Sequence, residues 1–345
     1  MRDLEYLNSL ENLTGKTAVV TGGSQGIGLQ TTILLGCLGA TVYICALDGE
    51  LDRAGVESAR EEVSQHTARS GGSVHFHKLD LSSIESSRSS AHSLKKKISQ
   101  NSADGDVGRL DIVVCNAAIA FSPQSILSPD GYERTFAVNC LGHFVFVTSL
   151  MDIIDSTARV YGDARITFTS SRGYTDAKKL DYKALTSPIP DDGTSLLHLK
   201  GAFQRYLDSK LAVLYLAKAL DQDIWVKSSE SIFVNVCHPG QVPNTALGEH
   251  QQPLVRPWLA SMIKSTLRVF MKNTTRDAAR TQVFLSASSQ IREKKVHGEY
   301  WAPTWSRSQK YTGTGKEELS TALAKDEKEW QLLWNFCQDA VSKVP

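Results

Sequence analysis

Short apolar segments alternate with longer amphipathic segments along the first two thirds of the chain. Six apolar runs rich in β-forming residues predict strands, and an amphipathic segment with helical spacing separates each strand from the next. Strands that alternate with helices form βαβ units, so the pattern predicts a parallel sheet with helices on both faces. The predicted strands are 17–20, 41–45, 74–79, 111–115, 165–169 and 232–237, and the predicted helices are 26–38, 51–69, 84–98, 132–154 and 203–220.

Two segments interrupt this alternation. Residues 173–200 contain Pro188, Pro190 and Gly193 and predict a long loop. Residues 251–273 are both apolar and basic, with the apolar positions mostly at helical spacing, and predict a helix. The sequence shows neither an internal repeat nor a low-complexity linker, so we predict one doubly wound α/β domain over residues 1–345.

Composition and charge narrow the class of protein. With 345 residues, of which 41% are hydrophobic, the chain can bury a full core. The formal net charge of +1 gives no reason to expect nucleic acid or an anionic membrane as a partner. Residues 1–16 lack the apolar core of a signal peptide, and no stretch approaches the roughly 20 apolar residues of a membrane span. We therefore expect a cytoplasmic protein without a transmembrane segment.

The cysteines predict buried packing residues in a reducing compartment, because several lie inside apolar runs and no two form a Cys-x-x-Cys pair. His143 and His238 have no cluster of metal-ligating residues near them in the sequence, and we interpret them as local packing or hydrogen-bonding groups. The sequence therefore predicts neither a disulfide framework nor a metal site. The six cysteines are Cys37, Cys45, Cys115, Cys140, Cys237 and Cys337.

A glycine-rich turn over residues 21–28 follows the first predicted strand and precedes the first predicted helix. Glycines permit a tight turn and a close approach of the backbone to a pyrophosphate, and the helix N-terminus offers N–H groups and a positive dipole end to that anion. The glycines are spaced as TGxxxGxG and not as GxGxxG, so the turn alone also fits an ordinary glycine-rich loop. It is a candidate dinucleotide site.

Further motifs follow the turn in order. Tyr206-Leu-Asp-Ser-Lys210 fits the pattern YxxSK, and His238-Pro-Gly-Gln-Val242, followed by Thr245, fits PGxVxT. Cys115-Asn-Ala-Ala118 stands where the motif NNAG is expected, with two small replacements. Over about residues 13–300, the sequence resembles the short-chain dehydrogenase/reductase family, whose fingerprint TGxxxGIG is matched by the glycine turn.

The resemblance implies a Rossmann-type parallel sheet of about seven strands, flanked by helices, within the single domain 1–345. We expect the cofactor half over about 13–150 and the catalytic and substrate half over about 151–300. The segment 251–273 would then be a helical lid over the substrate; a helix packed on its own core or against a second copy stays open. The tail 301–345 is expected to carry a C-terminal helix near 326–334.

The resemblance also assigns a nicotinamide cofactor. In the family an acid at the position of Ala46 selects NAD and an arginine at that of Leu47 selects NADP, and this chain has neither. Asp48 is either a ribose-binding acid or a turn residue, and Arg53 or Ser24 could meet a ribose phosphate, which favours NADP(H) over NAD(H). Cofactor contacts are expected from Gly22, Ser24, Gln25, Gly26, Ile27, Gly28, Asp48, Asp80, Leu81, Asn116, Ala117, Tyr206, Lys210, Pro239, Gly240, Val242 and Thr245.

Tyr206 and Lys210 lie four positions apart and therefore share one face of a helix. A tyrosine has a pKa near ~10, and a close ammonium lowers the pKa of the phenol towards the range that a general acid–base needs. The resemblance implies that Tyr206 exchanges a proton with a carbonyl oxygen while hydride moves between nicotinamide and the carbonyl carbon. It further implies that Ser171 stabilises that oxygen, that Lys210 binds the ribose and that Asn139 supports a proton-relaying water.

Within the family, the sequence looks most like the retinol-dehydrogenase-like and protochlorophyllide-reductase-like branch. Asn139-Cys-Leu-Gly-His-Phe144, Thr275-Arg-Asp-Ala-Ala279, Gly298-Glu-Tyr-Trp301 and the acidic tail near 326–334 carry that likeness. That branch acts on bulky, apolar alcohols and ketones, so we expect a lipophilic or secondary-metabolite small molecule as substrate. The pattern leaves a homodimer or a homotetramer open. An ene-type reductase of a C=C bond and a nucleotide-binding protein without turnover stay open as alternatives.

Overall fold

A single sheet organises the fold. The computed structural model describes residues 3–65, 71–100, 108–120, 127–187, 196–227, 230–240, 274–306 and 311–344. Its strands are β1 Thr17–Thr21, β2 Thr41–Ala46, β3 Ser73–Lys78, β4 Ile112–Cys115, β5 Ala164–Thr169, β6 Ile232–Cys237, β7 Tyr300–Trp305 and β8 Tyr311–Lys316. Within the described residues these form one eight-stranded sheet in the order β3-β2-β1-β4-β5-β6-β7-β8. Neighbours are parallel from β3 to β7, whereas β8 is antiparallel to β7.

Helices form a hydrophobic core on each face of the sheet. Successive residues of a strand point to opposite faces, so Val19 packs in one core while Ala18 and Val20 pack in the other. The helices are α1 Asp3–Asn8, α2 Gly26–Cys37, α3 Glu50–Gln65, α4 Ile84–Gln100, α5 Arg134–Tyr161, α6 Leu196–Lys227, α7 Thr275–Ala287, α8 Ser289–Glu293 and α9 Glu327–Ser342. The first core holds α4, α5, α6 and α9, and the second holds α1, α2, α3 and α7.

Helix α5 contains a π turn over Ala137–Leu141, which includes Asn139. The next residue, Gly142, allows close packing, since a Cβ there would lie 2.2 Å from the carbonyl oxygen of Leu81. Among the described helices, α5 is the one long and apolar enough to cross a membrane, but 72% of its apolar window is buried inside the fold. Burial to that extent is typical of a core helix.

The predicted α/β sheet is confirmed, and its six predicted strands match β1 to β6. The antiparallel strand β8 was not predicted, because Gly313 and Gly315 weaken its strand pattern. The predicted loop 173–200 is wrong at its end, because α6 begins at Leu196. The predicted lid 251–273 lies outside the described residues. All six cysteines are buried and free, as predicted.

Candidate active site

The turn Thr21–Gly28 joins β1 to α2 and is packed tightly on its inner side. Gly22 and Gly26 have positive φ angles of 61° and 54°, which favour glycine. A Cβ at Gly28 would lie 2.2 Å from the carbonyl oxygen of Gly22 and 2.4 Å from Nδ2 of Asn116. A Cβ at Gly26 would meet no described atom within 4 Å. The turn is therefore open on its outer side, where Gly26 and Ile27 begin α2, and can admit a pyrophosphate.

Asp52, in the first turn of α3, binds this glycine turn from below. Its Oδ1 accepts hydrogen bonds from the Ser24 hydroxyl at 2.5 Å and from Nε2 of Gln25 at 3.3 Å. Ser24 is only 2% exposed, and its hydroxyl proton is used in the hydrogen bond to Asp52. The expectation that this hydroxyl meets a ribose phosphate does not fit this geometry, because the hydroxyl is engaged beneath the turn.

The end of β2 carries a pair of opposite charges. Nε of Arg53 donates to Oδ1 of Asp48 at 2.9 Å, and this hydrogen bond lowers the pKa of the Asp48 carboxyl. Ala46 is buried, whereas the Arg53 side chain is 69% exposed. Asp48 is thus matched by a cation that extends into solvent beside the predicted ribose position.

The predicted adenine-side residues Asp80 and Leu81 follow β3. Oδ1 of Asp80 accepts from the backbone N–H of Ser82 at 2.9 Å and from its hydroxyl at 2.7 Å. Leu81 is buried, and its carbonyl oxygen packs against Gly142 of α5. The two residues therefore lie where the end of β3 meets the α5 helix.

The predicted nicotinamide-side residues Pro239 and Gly240 follow β6. The Gly240 N–H donates to Nδ1 of His238 at 3.1 Å, so Nε2 of His238 carries the proton and donates to Glu317 at 3.0 Å. Burial lowers the pKa of His238, and the hydrogen bond to Glu317 opposes that effect. Glu317 directly follows β8, so the turn at Pro239 and Gly240 is connected through His238 to the edge strand of the sheet. Val242 and Thr245 lie outside the described residues.

Thr21 is the centre of a hydrogen-bonded chain beneath the cleft. Its Oγ1 accepts from the backbone N–H groups of Asn116 at 2.9 Å and Ala117 at 3.0 Å. The same hydroxyl lies 2.9 Å from Nε2 of His143, whose Nδ1 lies 3.0 Å from the carbonyl oxygen of Asn139. A carbonyl only accepts, so Nδ1 of His143 carries the proton and Nε2 accepts from Thr21. Burial lowers the pKa of His143 to about 4, which keeps the ring neutral.

Ser171 and Tyr206 form the centre of the predicted catalytic group. The Ser171 hydroxyl accepts from the Gly173 N–H at 3.1 Å and is hydrogen-bonded to the Tyr206 phenol. The neighbouring Ser170 hydroxyl instead donates to the backbone carbonyl of Lys210 at 2.8 Å. The structure therefore places Ser171, and not Ser170, beside Tyr206.

Lys210 lies one turn further along α6 than Tyr206. Its buried Nζ donates to the carbonyl oxygen of Thr169 at 3.0 Å and lies 5.8 Å from the centre of the Tyr206 ring. Burial lowers the pKa of Lys210 to about 8. Burial also raises the pKa of Tyr206, and the hydrogen bond with Ser171 opposes that rise. The expected lowering of the phenol pKa by Lys210 is thus not seen in this structure, because the amine is directed at the end of β5.

The Asn139 side chain is fully engaged in holding the site together. Its Oδ1 accepts from the Ile119 N–H at 2.8 Å, and its Nδ2 donates to the Ile119 carbonyl at 2.9 Å and to the Ser209 hydroxyl at 2.9 Å. Ser209 belongs to the YxxSK segment. Asn139 therefore links the loop after β4 to the helix that carries Tyr206, and its backbone carbonyl faces His143.

The carboxyl ends of β1, β4, β5 and β6 lie side by side at one end of the sheet. A candidate residue or segment follows each of these strands: the glycine turn follows β1, Asn116 follows β4, Ser171 follows β5 and Gly240 follows β6. Ligands of open α/β sheets bind beyond the carboxyl ends of the strands. Sequence reasoning missed Thr169, Asp52 and Gln282, which form hydrogen bonds with the candidate residues at this end of the sheet. A polar residue within the apolar pattern of a helix was the one available signal for Gln282.

Comparison with known proteins decides the family. A family model described as short chain dehydrogenase matches residues 16–177. An uncharacterized oxidoreductase of Schizosaccharomyces pombe is 31% identical over 301 residues, which cover 85% of this chain and 78% of the relative. The chain belongs to the short-chain dehydrogenase/reductase family. This short-chain dehydrogenase/reductase is also 28% identical over 332 residues to retinol dehydrogenase 14 of Mus musculus, covering 94% of the chain and 85% of the relative.

Other similar proteins extend over nearly the whole enzyme. The short-chain dehydrogenase/reductase drtF of Aspergillus calidoustus is 27% identical and covers 97% of this chain and 96% of its own. Among solved structures, an uncharacterized protein of Mycobacterium paratuberculosis superposes with a TM-score of 0.66 at 20% identity, over 97% of both chains. The angucycline C-6 ketoreductase LanV superposes with a TM-score of 0.58 at 23% identity, over 84% of this chain and 94% of that one. These two structures share the fold.

Family membership establishes the reaction class. This short-chain dehydrogenase/reductase is an NAD(P)-dependent oxidoreductase acting on CH–OH and C=O groups, and it belongs with the retinol-dehydrogenase-like members. The cleft fits a dinucleotide, because the outer side of the glycine turn is open and Gly28 permits the close backbone packing beneath it.

Proposed function

We propose that the enzyme interconverts an alcohol and a ketone or aldehyde on a bulky, lipophilic or secondary-metabolite substrate, with Tyr206 as general acid–base. The observation that carries this proposal is the hydrogen bond between the Ser171 and Tyr206 hydroxyl groups, one helical turn from the buried Lys210 amine. Two hydroxyl groups that meet at one point can both bind one carbonyl oxygen. Gly240 follows the neighbouring strand β6 and would hold the nicotinamide end of the cofactor.

In this reaction the bound dihydronicotinamide supplies a hydride to the carbonyl carbon. Tyr206 gives its proton to the carbonyl oxygen, and Ser171 donates a hydrogen bond that stabilises the charge developing there. Lys210, with a pKa of about 8, is mostly protonated near neutral pH, so it can resupply the proton that Tyr206 gives up. The Asn139 amide holds α6 in place through Ser209, so that the phenol keeps its position.

NADP(H) is the proposed cofactor. No acid stands at the buried Ala46, and the Asp48 carboxylate is matched by Arg53, whose exposed guanidinium can also bind a ribose phosphate. The structure of LanV was solved with bound NADP, which is in line with this choice. Fluorescence titration with NADPH and NADH in parallel tests it, and a decisive preference for NADH would overturn it.

A pair of variants sharpens this cofactor test. Arg53→Gln is expected to raise the Kd for NADPH about tenfold and to leave the Kd for NADH unchanged, because only NADPH carries the ribose phosphate. The control is Arg60→Gln on the same helix, where the exposed side chain pairs with Glu57 at 2.6 Å. Equal effects of the two variants on NADPH would show that Arg53 has no specific contact.

The substrate class and the setting rest on the similar proteins and on composition. Retinol dehydrogenase 14 and a ketoreductase of an angucycline, both named for bulky substrates, are among them. Free, buried cysteines support the proposal of a cytoplasmic enzyme. We propose a homo-oligomer, either a dimer or a tetramer, which light scattering of the purified chain would test.

The deciding experiment measures NADPH oxidation against a panel of bulky ketones and identifies the products by mass spectrometry and NMR. A secondary alcohol as product supports the proposal. A saturated C=C bond beside an intact carbonyl would instead identify an ene-type reductase. Tight NADPH binding without turnover on any ketone or enone would indicate a nucleotide-binding protein, and either of these results would contradict the proposed reaction.

A further inference from the structure

A glutamine buried beneath the cleft touches both halves of the site. Gln282 lies in the middle of α7 and is fully buried, although Ala278, Ala279 and Val283 around it belong to the hydrophobic core shared with α2. A buried amide beside apolar side chains is destabilising unless its donors and acceptor are all paired. The partners of Gln282 therefore indicate why the fold tolerates it.

Each polar group of the Gln282 amide has a partner. Its Oε1 accepts a hydrogen bond from the hydroxyl of Thr31 on α2. Its Nε2 donates to Oδ1 of Asn116 at 3.0 Å and to Oγ1 of Thr169 at 2.9 Å. One side chain thus connects α2, the end of β4 and the end of β5.

The surrounding groups permit only one orientation of this amide. Nδ2 of Asn116 donates to the carbonyl oxygens of Thr21 at 3.0 Å and Gly22 at 3.4 Å, which cannot donate in return. Oδ1 of Asn116 must therefore face Gln282 and requires a donor there. Nε2 of Gln282 supplies that donor, and its second hydrogen is then directed at Thr169.

Thr169 carries this arrangement to the catalytic side. Its hydroxyl accepts from Gln282 and is hydrogen-bonded to Cys237 of β6, while its backbone carbonyl accepts from Nζ of Lys210 at 3.0 Å. Two neighbours therefore fix the Thr169 side chain, and the backbone carbonyl of the same residue orients the Lys210 amine. On the cofactor side, Asn116 accepts from Gln282 and donates to the carbonyl oxygens of the glycine turn.

From this arrangement we infer that Gln282 is a positioning residue that holds the cofactor turn, through Asn116, and the Lys210 amine, through Thr169, in register with each other. The inference rests on the proposed function, because it gives Lys210 a role in turnover. It predicts that one substitution impairs two properties that depend on different residues. A packing residue of α7 would change neither property specifically.

The test uses the full chain and four proteins: wild type, Gln282→Met, Thr169→Val and Thr281→Val. Gln282→Met keeps the volume and removes all three hydrogen bonds. Thr169→Val keeps the carbonyl that orients Lys210 and removes the hydroxyl, with its bonds to Gln282 and Cys237. Thr281→Val is the matched control, since Thr281 is the adjacent buried residue and its hydroxyl has no hydrogen-bond partner among the described residues. Thermal unfolding of each protein verifies that it is folded.

Two quantities are measured: the Kd for NADPH and kcat on the ketone that the wild type reduces fastest. Gln282→Met is expected to raise Kd about tenfold and lower kcat about tenfold, in line with the loss of hydrogen bonds to buried acceptors. Thr169→Val is expected to lower kcat with Kd unchanged, and Thr281→Val to leave both quantities within about twofold of wild type.

The outcomes separate this inference from the proposed function. If the wild type binds and oxidises NADPH but Gln282→Met resembles Thr281→Val, the inference is overturned and the proposed function stands. The same holds if Thr281→Val shows losses as large as Gln282→Met, or if Thr169→Val leaves kcat unchanged. If the wild type does not oxidise NADPH with any ketone, the proposed function fails, and an unchanged Kd in Gln282→Met then overturns the cofactor half of the inference by itself.

Discussion

The hydroxyl of Thr21 and Nε2 of His143 lie 2.9 Å apart, which joins the residue that begins the glycine turn to the helix that carries Asn139. The bond requires a neutral imidazole, because Nε2 must accept from the hydroxyl while Nδ1 donates to the Asn139 carbonyl. A second proton on the ring would compete with two backbone N–H groups for the Thr21 hydroxyl oxygen and would turn the hydroxyl proton towards the Val114 carbonyl at 3.4 Å. The pKa of about 4 for His143 agrees with this requirement.

The enzyme is therefore expected to lose stability on mild acidification. The folded pKa of His143 is about 4 and its ordinary value is 6.5, so between these pH values the unfolded chain binds a proton that the folded chain excludes. The free energy of unfolding should fall as pH decreases through this window, by on the order of 3 kcal/mol from this residue. Urea unfolding at a series of pH values measures the slope.

The variant His143→Gln tests the origin of that slope. Glutamine does not titrate and can still donate and accept a hydrogen bond, so the variant should show a shallower dependence on pH than the wild type between about pH 6.5 and about pH 4. His92→Gln is the control, since His92 is exposed on α4. Equal slopes for the two variants would exclude His143 as the source.

Removing the phenolic hydroxyl should stop turnover and spare cofactor binding. Tyr206→Phe is expected to lower kcat by about 10² to 10⁴, because the general acid is lost. Tyr182→Phe is the matched control: Tyr182 is another half-buried tyrosine, and its hydroxyl has no hydrogen-bond partner among the described residues. Turnover by Tyr206→Phe at the wild-type rate would be incompatible with the proposed role of this phenol.

The packing of the glycine turn predicts that two glycine substitutions on one helix differ in their effect on NADPH affinity. In Gly28→Ala the new methyl group would lie 2.2 Å from the Gly22 carbonyl oxygen and displace the turn, so NADPH affinity should fall at least about tenfold. In Gly36→Ala, on the same helix, the methyl group meets Val63 at 2.5 Å. That control should lose stability and keep its NADPH affinity once folded. Calorimetric titration at a temperature where both variants are folded distinguishes them.

A buried ion pair predicts a loss of stability that is separate from the active site. Arg165 is 2% exposed and donates to Asp163 at 2.9 Å and 2.8 Å, to Glu11 at 3.2 Å and to the Ser288 carbonyl at 2.9 Å. Arg165→Met leaves the Asp163 carboxylate buried with fewer partners and should lower the free energy of unfolding by about 3 to 5 kcal/mol.

The control for this substitution is Arg159→Met, because Arg159 is 63% exposed and forms a surface pair with Asp155. Surface pairs of this kind contribute about 0 to 1 kcal/mol. Both variants should keep the wild-type Kd for NADPH. A similar small loss in both would mean that the Arg165 pair contributes no more than a surface pair.

The sequence predicted the sheet because continuous apolar strands and amphipathic helices have distinct periodicities, and these matched β1 to β6. The motif residues were predicted from the resemblance to the family, whereas spacing alone placed Tyr206 and Lys210 on one helix face. The sequence could not predict β8, whose two glycines resemble a loop. Nor could it predict the roles of Thr169 and Gln282, because the bond between them joins residues 113 positions apart.

The direction of the Lys210 amine was beyond sequence reasoning for the same kind of reason. Spacing places Tyr206 and Lys210 on one face of α6, but the acceptor for the amine is the Thr169 carbonyl on another element. Only the three-dimensional arrangement shows that burial dominates the pKa of both groups. Short-range patterns report which residues share a face, and they do not report which distant group each one binds.

The bond between His238 and Glu317 connects the proposed cofactor contact Gly240 to the C-terminal part of the chain. Glu317 lies immediately after β8, which among the described residues is hydrogen-bonded to the sheet through its one neighbour, β7. Shortening the protein from the C-terminus, or fusing a bulky tag that peels this edge away, would release the imidazole that holds Gly240. Such changes would then appear as poor nicotinamide retention, although every motif of the family would still be present.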